Sequence, residues 1–130
     1  MKTTQYVLTG SLICALSFAA VLLGGPPVDA PLAFQGEVMD STCAQAGSHP
    51  DMENAKGIAN SRDCVLECLK DGSKLVLYDR ATGAIHTLDI GGPIYNEDRL
   101  MEFAGAKVKI VGSIDENTGV IWHIQSVQRL

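Results

Sequence analysis

Between Asp40 and Leu69 the chain gathers Cys43, His49, Met52, Cys64 and Cys68. Any fold has to answer to this block. Thiolate, imidazole and thioether groups are the donors that bind copper or zinc, and thiols also pair with one another. Either linkage ties the end of an early strand to a segment about 20–25 residues further on, closing a loop in a small protein. The choice is constrained by an odd count. The chain has four cysteines, but Cys14 lies in a leading segment that reads as cleaved. The three that remain cannot all pair within one chain, so a disulfide leaves a remainder that a metal site does not.

The first thirty residues read as a separate unit. Lys2 is followed by an apolar run from Val7 to Leu23, then Gly24-Gly25-Pro26-Pro27 and Val28-Asp29-Ala30. A basic start, an apolar run and small residues at −3 and −1 describe a secretory signal peptide over 1–30, cut after Ala30. The expected location is periplasmic or secreted. An uncleaved segment would make a membrane anchor instead, although its run is somewhat short for a span of about 20 residues. Cys14 does not stand in a lipoprotein setting, because Ser11-Leu12-Ile13 precede it and the apolar run continues beyond it.

Cutting after Ala30 leaves 100 of the 130 residues, enough for one small domain over 31–130. Lys2 and Asp29 leave together, so the net charge of −5 persists. That acidity argues against nucleic acid and against anionic lipid. Membrane contact is expected only if the first segment stays attached. The remaining partner class is a protein or a small ligand. Export implies an oxidising compartment, where cysteines pair or hold metal.

Hydrophobic patterning gives the elements. Residues 32–39 partly alternate and form a first strand, with Gly36 marking a bulge or a close approach. Residues 40–60, rich in Gly, Ser, Asn, Pro and Asp, read as a long loop. Ser61 to Lys70 reads as a short helix capped by Asn60 or Ser61 and stopped by Gly72. Strands follow at 74–78 and 84–90 around the turn Asp79 to Gly83. Asn96 opens a second helix through Phe103, ended by Gly105. The alternating strands 107–114 and 120–127 close the domain, with Trp122 placed in the core. The expected class is mainly β with two short helices: a five-stranded OB-like Greek-key barrel carrying a cysteine-rich loop–helix insertion at 40–72.

The segments Gly36-Glu37-Val38-Met39-Asp40-Ser41-Thr42-Cys43-Ala44, Gly47-Ser48-His49, Met52, Cys64-Val65-Leu66-Glu67-Cys68 and Lys74-Leu75-Val76-Leu77-Tyr78 carry a resemblance. The chain resembles small exported bacterial proteins of unknown function that are similar to OB-fold domains. The likeness runs over nearly all of 32–127 and implies a fold and a marked site, without a reaction.

On a helix, Cys64 and Cys68 at i and i+4 share one face, with Cβ atoms about 5–6 Å apart. This is wide for a disulfide, which wants about 3.5–4.5 Å, and suited to chelating one ion. Cys43 and His49 complete a Cys₃His set fit for zinc. Soft sulfur favours copper equally, with Met52 as a further ligand. The alternative is a disulfide from Cys43 to Cys64 or Cys68. Haem attachment is disfavoured, because three residues separate the cysteines and Leu69 follows Cys68. His86 and His123 are expected at the surface or at a barrel edge, and Asp40 or Ser41 caps the turn into Cys43. No Ser-His-Asp arrangement, phosphate loop or carboxylate pair is present, so the expected activity is binding without catalysis, to a soft metal or, as the alternative, as a disulfide-stabilised interaction domain.

Overall fold

A computed structural model describes residues 30–49 and 57–130. The signal-peptide reading of 1–30 therefore falls almost wholly outside the described residues, as does Met52. Among the described residues the molecule is mainly β, with five antiparallel strands in one sheet and three helices. In chain order these are β1 (Leu32–Asp40), α1 (Ser41–Ala46), α2 (Ser61–Lys70), β2 (Leu75–Tyr78), β3 (Ile85–Thr87), α3 (Glu97–Met101), β4 (Lys107–Ile114) and β5 (Ile121–Arg129).

The strand order is β3-β2-β1-β4-β5. β1 is the long central strand and changes partner along its length. Leu32 to Glu37 pair with β4, and Glu37 to Asp40 pair with β2. Gly36 sits at the changeover. A Cβ there would lie 2.6 Å from the Tyr78 carbonyl oxygen, so the absence of a side chain is what lets β2 approach. The sheet does not close into a barrel. Its two edges meet only through a parallel bridge between Leu88 and Ile121 and the bond from Asp89 N–H to the Ile121 carbonyl, 2.9 Å.

Two apolar clusters flank β1. The larger unites Val38, Leu77, Leu100, Val108, Ile110 and Ile121 with Val65 of α2, Leu75 of β2, Ile124 and Val127 of β5, and Leu88 and Ala104. The smaller contains Met39, Cys43, Ala44, Cys64, Cys68 and Val76. Val38 and Met39 point to opposite faces, as neighbouring strand residues do, and both are fully buried. α2 serves both clusters, giving Val65 to the first and its two cysteines to the second.

Two expectations need correction. The segment after β1 is not wholly loop, because Ser41–Ala46 forms α1. Asp40 caps it by accepting the Cys43 N–H at 2.9 Å, and Gly47 ends it at φ 71°. The described helices therefore number three, not two. Trp122 is not core: it is 42% exposed, while Ile121, Ile124 and Val127 are buried. Ser113 pairs with Trp122 and Val111 with Ser126. One residue of β4, Gly112, thus faces three of β5, residues 123–125. This bulge swings β5 and shifts its inward residues to a period of three. His123 takes a positive φ of 49° within it, and a Cβ on Gly112 would lie 3.0 Å from the Trp122 carbonyl oxygen.

Gly105 joins α3 to the sheet. It holds φ 71°, donates its N–H to the Val38 carbonyl at 2.8 Å, and a Cβ on it would lie 2.5 Å from the Arg62 nitrogen at the start of α2. Replacing it with alanine adds left-handed strain to a backbone clash. Gly105→Ala is expected to cost about 1–3 kcal/mol or more, read as a fall of at least about 4 °C in the thermal midpoint.

Candidate metal centre

The site is assembled where the end of β1 runs into α1 and α2 packs beside it. α1 is fastened to the approach to β2. Ser41 N–H donates to the Lys74 carbonyl at 2.8 Å, Lys74 N–H donates to Ser41 Oγ at 3.0 Å, and Thr42 Oγ1 bonds Ser73 Oγ at 2.7 Å. These clamps hold Cys43, on the first turn of α1, against the cysteines of α2. Asn60 accepts the Asp63 N–H at 3.0 Å and so fixes where α2 begins.

Cys43 and Cys64 are fully buried and Cys68 nearly so. The Cys43 and Cys64 sulfurs lie 3.7 Å apart in a hydrogen bond, and no disulfide is seen among the described residues. Donor atoms come together in two groups. Cys43, His49 and Cys64 form one, and Asp40, Cys43 and Cys68 form the other, with the atoms of each group within 4.8 Å of one another. Of the sequence-derived candidates, Cys43, His49, Cys64 and Cys68 thus all reach the site, but as two groups sharing Cys43 rather than as one Cys₃His set. Cys64 and Cys68 fall in different groups. Cys43 approaches both, and each α2 cysteine finds its own company.

Asp40 is a donor that the sequence reading treated only as a cap. It is both. Oδ1 accepts the Cys43 N–H, while Oδ2 is buried without a hydrogen-bond partner among the described residues. An aspartate three residues before a cysteine at the close of a buried strand was the available signal. The capping role obscured the second oxygen.

His49 is held from its far side. Nε2 lies 2.7 Å from Glu37 Oε1, and both side chains are more than nine-tenths buried. Arg80 donates to Glu37 Oε2 from Nε at 3.0 Å and from Nη2 at 2.9 Å, and its Nη1 reaches the Gly47 carbonyl at 3.3 Å. With Glu37 paired to Arg80 as a carboxylate, a neutral His49 donates from Nε2. This leaves the Nδ1 lone pair, which is buried and has no partner among the described residues. The carboxylate–imidazole pair is how metal-binding histidines are commonly oriented. Glu37→Gln is therefore expected to weaken metal binding about 10- to 100-fold, measured by competition with a chromophoric chelator.

His86 and His123 sit on the two edge strands, β3 and β5, away from either donor group. Tyr78 packs against the cysteine cluster and stacks under the Arg80 guanidinium at 5.7 Å.

Burial, and then the neighbouring Asp40 and Cys64, push the Cys43 thiol far above its ordinary value of 9.0. The metal-free site therefore holds Cys43 neutral. In the unfolded chain the thiol ionises near its ordinary value, so above that pH the folded state binds the extra proton. The linked stability is present below about pH 9 and is lost as pH rises. Metal-free protein is expected to lose unfolding free energy from about pH 9 upward, checked by urea melts at a series of pH values. A plateau through that range would contradict it.

Compared with known proteins, the chain matches no family model, no curated protein and no solved structure.

Proposed function

We infer that this protein is an exported, non-catalytic binding module of OB-like form that holds a soft or borderline metal ion, zinc or copper, through its cysteine–histidine cluster. One observation carries the reading: Cys43 and Cys64 sulfurs 3.7 Å apart, with His49 close by and its Nδ1 buried and unpartnered. Two sulfurs on a tetrahedral ion with bonds of about 2.3 Å stand about 3.8 Å apart, so the pair is already spaced for it. A buried ring nitrogen without a hydrogen bond costs about 1–3 kcal/mol, and a metal removes that cost.

Export rests on the N-terminal pattern of a basic residue, an apolar run and small residues before position 31. The OB-like reading is supported by the strand order β3-β2-β1-β4-β5 and by the parallel Leu88–Ile121 bridge between its edges. A barrel of this kind would need that bridge to extend.

A second reading has its own support. The same 3.7 Å spacing suits a disulfide between Cys43 and Cys64, formed when a disulfide-type oxidant of an exported compartment takes up the two electrons and two protons that the thiols release. The module would then be a cross-linked interaction domain. Elemental analysis with thiol counting, on protein isolated from the compartment it occupies, separates the two. Bound zinc or copper with all cluster thiols reduced supports the metal. No metal, with one thiol left in the cluster, rejects it in favour of the disulfide.

A further inference from the structure

We propose that the cluster is a two-ion site in which Cys43 bridges a pair of divalent cations of the zinc class, one held with His49 and Cys64 and the other with Asp40 and Cys68. The inference rests on the metal-binding reading above and extends it from one ion to two.

The geometry divides the donors. Cys64 belongs to one group and Cys68 to the other, with only Cys43 common to both. Two sulfurs on one ion can stand at most about 4.6 Å apart with bonds of about 2.3 Å. The Cys43 and Cys64 sulfurs are 3.7 Å apart, and Cys64 and Cys68 share no group whose donors lie within 4.8 Å of one another. As placed, an ion draws on one group or the other. Thiolate sulfur has lone pairs enough to serve two ions, and Cys43 is the donor that both groups contain.

One residue of each group also carries an orphan: His49 in the first, through Nδ1, and Asp40 in the second, through Oδ2, both atoms buried without hydrogen-bond partners among the described residues. A single ion relieves one and strands the other. Buried polar atoms are rarely left unsatisfied, and two of them at adjoining three-donor sites point to two ligands.

Charge completes the argument. With metal bound, three thiolate ligands and the Asp40 carboxylate would bring four negative charges, an imidazole ligand from His49 would bring none, and Glu37 is matched by Arg80. The cysteines and Asp40 are all less than a tenth exposed. Two divalent ions discharge the cluster completely. One leaves two negative charges to be buried or protonated, and uncompensated buried charge is strongly unfavourable.

The test is stoichiometry. The full chain, with Cys14→Ser so that only the cluster thiols remain, is reduced, loaded anaerobically with zinc and freed of excess. The ions per chain are then counted by elemental analysis and native mass spectrometry. Two ions are expected, falling to one in Asp40→Asn and in Cys68→Ser, and to one in His49→Ala. Asparagine keeps the helix cap, so Asp40→Asn keeps the test open if Cys68→Ser does not fold. With cadmium-113 in place of zinc, two resonances coupled through a shared sulfur are expected. One ion in the parent chain overturns the two-ion site and leaves the metal reading standing. Two ions retained in both Asp40→Asn and Cys68→Ser overturn it as well. No ion at all overturns both readings.

Discussion

Cys43→Ala is expected to weaken metal binding about 100- to 1000-fold while leaving the metal-free fold nearly intact. Cys43 is the donor common to both groups, so its loss removes a ligand from each. The apparent binding free energy of a structural zinc is about 10–16 kcal/mol, shared among about four ligands. One ligand is then worth about 2.5–4 kcal/mol, and its removal should lower zinc affinity about 100- to 1000-fold. The same change should move the stability of the metal-free chain by only about 1 kcal/mol. It trims one small buried side chain and frees the Cys64 thiol from its 3.7 Å partner. Calorimetric zinc titration and urea melts on the same sample check both halves. Unchanged zinc affinity in Cys43→Ala would remove the centre from this part of the molecule.

The largest effect on stability is expected at Leu100. It is the buried residue of α3 and lies in the larger apolar cluster with Val38, Val108 and Ile110. α3 has five residues, too short to hold itself together in water. It persists because Leu100 anchors it, with Asn96 capping the start by accepting the Arg99 N–H at 3.1 Å. Leu100→Ala should cost about 2–5 kcal/mol. Against a total of about 5–15 kcal/mol, this is a large share, and the thermal midpoint should drop by about 10 °C or more. Ile85 on β3 is 39% exposed, and Ile85→Ala should move the midpoint far less. Equal effects at the two positions would mean that α3 is not anchored through Leu100.

How much of this was legible in the sequence varies by element. α2 was readable to the residue, because Asn60 and Gly72 mark its ends with groups that have no other local use. The turn at Asp79 to Gly83 was equally plain, and Gly83 N–H closes it on the Asp79 carbonyl at 2.8 Å. α1 was hidden because its six residues sit in a stretch whose composition reads as loop. Only Asp40 before it and Gly47 after it give it away. The inward face of β5 was misread for a different reason. Strict alternation assumes one residue of β5 for each of β4, and the bulge opposite Gly112 breaks that count. In the site, the four Cys and His donors were named from their chemistry. Their division into two groups was not legible, since it depends on how α1 and α2 approach each other across the end of β1. Asp40 was passed over because one of its oxygens had an obvious task.

The failure of the sheet to close has a consequence for how the molecule meets its own copies. An open five-stranded sheet ends in two strands whose outer N–H and C=O groups lack a ladder partner, an invitation to edge-to-edge stacking and fibre growth. Here neither edge offers a usable template. β3 is only three residues long. β5 is nine residues long, but its run is broken at residues 123–125, where His123 leaves the extended conformation. The bulge that turns Trp122 outward therefore also makes β5 a poor surface for strand addition, so the sheet can stay open without recruiting a neighbour.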